Sequence, residues 1–255
     1  MKYSSIPTAQ SLVHHCKARG VKNIIISPGS RNAPLTISFS EDPFFTCYSI
    51  VDERCAAFFA LGIAQQLKRP TAILCTSGSA LLNYYPAIAE AFYSDIPIIV
   101  ISADRPSYKV DIGDGQTIRQ NNVFENHIGY SANLKQDVCH ATHKVRKYDP
   151  VQLAGHTVEQ SQALVQKYND KILNKALNIA IANNTPVHVN IPFEEPLYDT
   201  MDESPILPQI DLLEVQAKNG QEEWKEYIDR WQNASRKMVL QNAPPIYSTP
   251  TFSPI

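Results

Sequence analysis

The chain has 255 residues, with 23 Lys and Arg against 25 Asp and Glu and a formal net charge of −2. Hydrophobic residues make up 44% and charged residues 19%, the balance of a soluble globular protein, which excludes a disordered, collagen-like or disulfide-dense chain. Near-neutral charge gives no basic field for nucleic acid, apolar runs such as 96–101 are far too short to span a bilayer, and Met1–Pro7 lacks the apolar core of a secretory signal. The expectation is a cytoplasmic protein with no nucleic-acid or membrane partner. Five cysteines, none in a Cys-x-x-Cys pair, read as buried, reduced thiols. Cys139, His140 and His143 find no fourth ligand at zinc spacing, so no metal site is expected in this chain.

In chain order, the spacing predicts a helix over 8–19 closed by Gly20, then a β-branched strand over 23–27. A strand over 45–51 follows. Asp52 is a good N-cap for a helix to Lys68, with apolar positions at Ala56, Phe59, Ala60, Ile63, Ala64 and Leu67. A strand over 71–76 runs into a Ser-Gly-Ser turn and a helix to about Tyr93; a strand over 96–102, a helix over 158–182 and a strand over 186–191 complete the pattern. This alternation predicts an α/β fold, a parallel sheet with helices on both faces. Residues 1–196 read as one domain and the acidic, Pro-bearing 197–211 as a linker. Residues 212–255 read as the truncated start of a second, incomplete α/β domain: a polar helix with Trp224, Tyr227, Ile228 and Trp231, a strand beginning at 237–240, and a Pro-rich remainder.

Parallel sheets carry their sites on the loops after the strands. The first such loop, Ser27-Pro28-Gly29-Ser30-Arg31-Asn32, offers small donors, a helix N-terminus and an arginine, a set suited to an anion. Its plainer reading is a turn with a solvated Arg. The second places Glu53 in the first turn of a long helix, either as a dipole-complementing surface residue or as a carboxyl group for proton chemistry. The third presents Ser77, Gly78 and Asn83, and the fourth Asp104-Arg105, with Gln116 just beyond. Four such loops in succession favour a site for a polyanionic substrate.

Taken in order, Ser-Pro-Gly-Ser-Arg-x-x-Pro-Leu, Asp-Glu-Arg, Thr-Ser-Gly-Ser-Ala, Ala-Asp-Arg-Pro, Gly-x-x-Gln-x-Ile-x-Gln and Asn-Ile-Pro-Phe-x-Glu-Pro-Leu-Tyr resemble the amino-terminal part of the 2-succinyl-5-enolpyruvyl-6-hydroxy-3-cyclohexene-1-carboxylate synthases, thiamine-diphosphate enzymes of menaquinone biosynthesis. The resemblance implies that residues 1–196 are a pyrimidine-binding domain. It gives Glu53 the catalytic role of hydrogen-bonding N1′ of the aminopyrimidine, with Ser77, Gly78 and Asn83 also on the cofactor. It places Ser30, Arg31, Arg105 and Gln116 on the substrates, 2-oxoglutarate and isochorismate, whose carboxylates suit two arginines. It further implies a homo-oligomer, dimer or tetramer, with Mg2+ (or manganese) and the diphosphate held by a carboxyl-terminal domain outside this chain. The chain is then expected to supply half a site and to be inactive alone. Asp114-Gly115 departs from the Ala-Asn usual there and sets an acid beside an anion site. The alternatives are a pyrimidine domain serving another 2-oxo acid, or a non-catalytic dimerising module with the aromatic points of its polar helix as an interface.

Overall fold

The computed structural model describes residues 2–213 and 221–237, in the second stretch with side chains from Tyr227 onward. The chain divides into two compact units, Met1–Leu213 and Glu214–Ile255.

In the first unit the elements run β1 (Tyr3–Ser4), α1 (Pro7–Ala18), β2 (Asn23–Ile26), α2 (Ala33–Glu41), β3 (Thr46–Ser49), α3 (Glu53–Leu67), β4 (Thr71–Cys75), a 3-10 segment (Gly78–Tyr84) leading into α4 (Tyr85–Tyr93), β5 (Ile98–Asp104), β6 (Tyr130–Asn133), α5 (Thr142–Tyr148), α6 (Val158–Asn183), β7 (Val187–Pro192) and β8 (Thr200–Met201). Six strands form one sheet in the order β3-β2-β4-β5-β7-β6, parallel at every pairing. β1 and β8 make a separate antiparallel pair. The central strands are near-continuous apolar runs because both faces are covered. Alternate residues divide cleanly: Ile24, Ile26, Leu74, Ile99 and Ile101 pack with α1, α2 and α6, whereas Ile25, Ile73, Cys75, Ile98 and Val100 pack with α3 and α4. Each fully buried Ile contributes on the order of 1.5–3 kcal/mol relative to exposure, so a register slip in β2, β4 or β5 is heavily disfavoured.

The helix ends follow their sequence signals. Asp52 caps α3 by accepting the Cys55 N–H at 2.8 Å, and Thr157 with Gln160 forms a capping box on α6. The buried face of α3 differs from its sequence reading. Ala56, Ala57, Ala60 and Ala64 face the core, while Phe58 (45% exposed), Phe59 (44%) and Leu67 (54%) point outward. Small side chains let the helix axis lie close to the sheet and to α4; the bulkier residues lie off that seam. The cysteines also divide. Cys16 and Cys75 are buried as expected, but Cys55 and Cys139 are exposed, and all five are free thiols.

Residues 200–211, read from composition as linker, lie along α1 and α6. Asn174 mimics a strand partner there, donating to Gln209 O (2.8 Å) and accepting from Asp211 N (2.9 Å), and Arg19 and Asn178 each donate to Asp211 O at 2.9 Å. In the second unit, α7 (Gln221–Asn233) exposes Tyr227, Ile228 and Trp231, and the Lys237 ammonium lies 5.8 Å from the Trp231 ring centre. The strand expected at 237–240 falls outside the described residues after Lys237.

Candidate active site at the carboxyl edge of the sheet

Chain order reverses between β2 and β4, which is where an open parallel sheet opens a crevice for ligands. The loops leaving these two strands touch. A Cβ on Gly29 would lie 2.4 Å from Thr76 Cβ, so only glycine permits the approach. Ser27 closes the junction, donating its N–H to Leu74 O at 2.8 Å and accepting from the Tyr84 hydroxyl at 3.3 Å. Ser30 is exposed on this loop.

Arg31 is 6% exposed. It donates to Phe193 O (3.0 Å) and to Glu195 Oε1 (3.2 Å), beyond the end of β7. Arg105, after β5, donates through one Nη to Ser77 Oγ (2.6 Å) and Gln116 O (2.7 Å). Its Nε lies 3.3 Å from the Asp114 carboxylate but is buried without a well-aligned hydrogen bond. The departure seen at Asp114 thus places an acid against Arg105, partly neutralising it. Ser77 also donates to Gln116 O at 3.1 Å, which ties Ser77, Arg105 and Gln116 into one unit. Gly78 (φ +87°) sits beneath it: a Cβ there would lie 2.7 Å from both Gln116 O and Cγ. Its N–H is already spent on Gln120 Oε1 at 2.7 Å.

Glu53 opens α3 on the neighbouring junction and is half-buried. One carboxylate oxygen accepts from Asn83 Nδ2 at 3.4 Å, and no arginine or lysine pairs with Glu53 among the described residues. Its second oxygen therefore remains an open acceptor. The sequence-predicted residues thus fall into three groups. Glu53 and Asn83 contact each other; Ser77 on the β4 loop is hydrogen-bonded to Arg105 and Gln116 on the β5 loop, with Gly78 packed beneath; and Arg31 with neighbouring Ser30 belongs to the β2 loop and is held by the β7 loop.

Beneath them lies a buried polar network that the sequence did not reveal. Asn190 Nδ2 donates to Asp104 Oδ2 (2.8 Å), its Oδ1 accepts from Gln120 Nε2 and Ser102 Oγ (both 2.8 Å), and Ser102 Oγ also meets His188 Nε2 at 2.7 Å. With the Ser102 proton on Asn190, His188 carries its proton on Nε2, leaving Nδ1 as an unpartnered acceptor. Burial lowers the His188 pKa to about 3 and raises that of Asp104 above its ordinary value.

Two further residues went unassigned in the sequence, Glu194 and Glu195. Both follow β7 within the Asn-Ile-Pro-Phe-x-Glu-Pro-Leu-Tyr motif, where no helix follows the strand and so no strand-to-helix loop marks them.

The family profile for the thiamine pyrophosphate enzyme N-terminal TPP binding domain matches residues 6–130, the part of the chain that carries the loops after β2, β3, β4 and β5. Over most of its length the chain is also similar to proteins named 2-succinyl-5-enolpyruvyl-6-hydroxy-3-cyclohexene-1-carboxylate synthase. It is 54% identical over 241 residues to the one from Christiangramia forsetii, covering 94% of this chain and 40% of that protein. The Flavobacterium johnsoniae protein is 54% identical over 242 residues, 94% of this chain and 39% of its own length; that of Flavobacterium psychrophilum is 51% identical with similar coverage. The chain spans about 40% of the length of these curated relatives.

Proposed function

We propose that this chain supplies the pyrimidine half of a 2-succinyl-5-enolpyruvyl-6-hydroxy-3-cyclohexene-1-carboxylate synthase site, acting on 2-oxoglutarate and isochorismate with thiamine diphosphate and Mg2+ (or manganese). The observation that carries the reading is Glu53: a half-buried carboxylate with one open oxygen, on the crevice edge of the stretch that the family profile matches. When bound, thiamine diphosphate supplies the nucleophilic carbon and electron sink for decarboxylating a 2-oxo acid. Glu53 offers its open oxygen to N1′ of the aminopyrimidine and holds the proton shared with it, while Asn83 fixes the carboxylate's orientation. Ser77 and Gly78 serve the cofactor by shaping the backbone beside it, since the Ser77 hydroxyl and the Gly78 N–H are engaged with the segment after β5. Arg31 and Arg105, with Ser30 and Gln116, receive substrate carboxylates; Arg105 keeps its second Nη for this. The site is completed by a diphosphate-binding part in a homo-oligomer, dimer or tetramer, and the setting is the cytoplasm. Among the described residues no helix is long and apolar enough to cross a membrane.

The test is a chimera in which this chain replaces the aligned segment of the Flavobacterium johnsoniae relative. Formation of the named product from 2-oxoglutarate and isochorismate, dependent on thiamine diphosphate and Mg2+, supports the reading. A folded chimera that binds the cofactor but releases no carbon dioxide from 2-oxoglutarate sinks it.

A further inference from the structure

Glu194 lies just past β7 with its side chain 0% exposed, yet it carries a charge. Its Oε1 accepts from Lys109 Nζ (2.8 Å), Lys144 Nζ (2.8 Å) and the Glu195 N–H (2.9 Å), and its Oε2 from the Tyr108 hydroxyl (2.7 Å). The main-chain oxygen of Glu194 meets His140 Nε2 at 2.8 Å. Four donors from three parts of the chain thus converge on one buried carboxylate. Tyr108 and Lys109 follow Arg105 by only three and four residues, Lys144 comes from α5, and Tyr108 also stacks on Tyr148 of α5 at 5.1 Å. The residues flanking Glu194 grip the other arginine, Phe193 through its carbonyl and Glu195 through its carboxylate.

We propose that Glu194 is a positioning residue: one buried carboxylate that fixes both the Arg105 loop and the Arg31 clamp in the geometry needed to receive carboxylate substrates. A buried, hydrogen-bonded ion pair is costly to break, because removing one partner strands the others' charges. Here the stranded groups are two ammonium ions sharing one oxygen, which repel each other once it is neutral. The two lysines and Tyr108 hold Glu194 ionised well below the ordinary carboxylate range, so the clamp is set throughout the neutral region. Glu53 and Asn83 make no contact with this cluster, so their chemistry stands apart from it.

The inference rests on the reading that Arg31 and Arg105 bind substrate, and two measurements separate the two claims. In the chimera, Glu194→Gln is expected to raise the KM for 2-oxoglutarate or isochorismate about tenfold or more, with kcat and the thiamine diphosphate affinity within about twofold. Unchanged KM in a folded variant overturns the proposal, as does a parallel fall in kcat and cofactor affinity. On the 255-residue chain itself, amide hydrogen exchange across 105–116 is expected to quicken at least tenfold in Glu194→Gln while β4 and β5 keep their protection. Equal exchange in that loop overturns the proposal even where the chimera turns nothing over; accelerated exchange with an inactive unmutated chimera supports the clamp and instead counts against the substrate reading.

Discussion

Three glycines allow backbone strain and steric crowding to be separated. Gly20 has φ +69° with nothing within 4 Å of an added Cβ, Gly29 has crowding alone (2.4 Å to Thr76 Cβ), and Gly78 has both, at φ +87° and 2.7 Å from Gln116 O and Cγ. Gly20→Ala should therefore cost about 1 kcal/mol, the price of an L-residue in left-handed backbone. Gly29→Ala should cost roughly 2–3 kcal/mol, as overpacking of a tight contact does. Gly78→Ala must add to the strain the displacement of Gln116 O, which breaks the bonds from Arg105 (2.7 Å) and Ser77 (3.1 Å). A bond from a charged donor is worth about 1.5–3 kcal/mol, so the expected total is about 3–5 kcal/mol. Urea unfolding at 25 °C reads all three, with unchanged m-values showing that only stability moved. Were Gly78→Ala to cost no more than Gly20→Ala, the reasoning that welds Gly78 to the Gln116–Arg105 loop would be refuted.

Two other expectations concern titration and reactivity. His188 is buried and neutral, its pKa lowered to about 3 beside Ser102 and the Phe124 ring, with Asp104 reached through Asn190. The unfolded chain takes up this proton below pH 6.5 while the folded chain does not, so stability falls as pH drops from about 6.5 toward 3, by about 1.4 kcal/mol per unit from this one site. Between pH 6.5 and 5 that is about 2 kcal/mol, and His188→Gln should lose this part of the slope; an identical slope in the variant would count against a neutral, buried His188. Burial pushes the Cys16 thiol up to about 12 and raises Cys75 as well, whereas Cys55 is exposed and raised chiefly by its bond and charge contact with Asp52. Ellman's reagent should therefore label Cys55 in the native protein and reach Cys16 and Cys75 only in denaturant; native labelling of Cys75 would contradict the packing of β4 against α4.

Strands β2, β4, β5 and β7 and helices α1, α3 and α6 were legible because each buries many apolar residues at its own period or carries a cap such as Asp52 or the Thr157–Gln160 box. Edge strand β6, Tyr-Ser-Ala-Asn, buries only Ala132, and α5 buries only Val145. Neither leaves a periodic trace, since their places are set by contacts distant in sequence. The face of α3 was misread because alanine carries little weight in a hydrophobic pattern, yet close packing selects it. At the candidate site, ordered motifs singled out Glu53, Arg31 and Arg105, and the structure places them on loops at the carboxyl edge of the sheet. The motifs could not disclose that Asp114 lies against Arg105, that Ser77 and Gly78 spend the hydroxyl and the N–H on the segment after β5, or that Glu194 collects two lysines. Those are facts of convergence between segments as much as 86 residues apart, as in the Tyr108–Glu194 bond.

The central claim, that Glu53 holds the proton shared with the aminopyrimidine, is tested most directly by the rate at which bound thiamine diphosphate exchanges its C2 proton with deuterium, compared in the chimera and its Glu53→Gln variant by quenched-flow NMR. The account predicts a fall of at least 100-fold in Glu53→Gln at equal cofactor occupancy, since general acid–base groups contribute about 10²–10⁴-fold. Asn83→Ala, which removes the 3.4 Å contact to Glu53 but leaves the carboxylate in place, should produce a smaller fall. Equal exchange rates with and without the Glu53 carboxylate would contradict it.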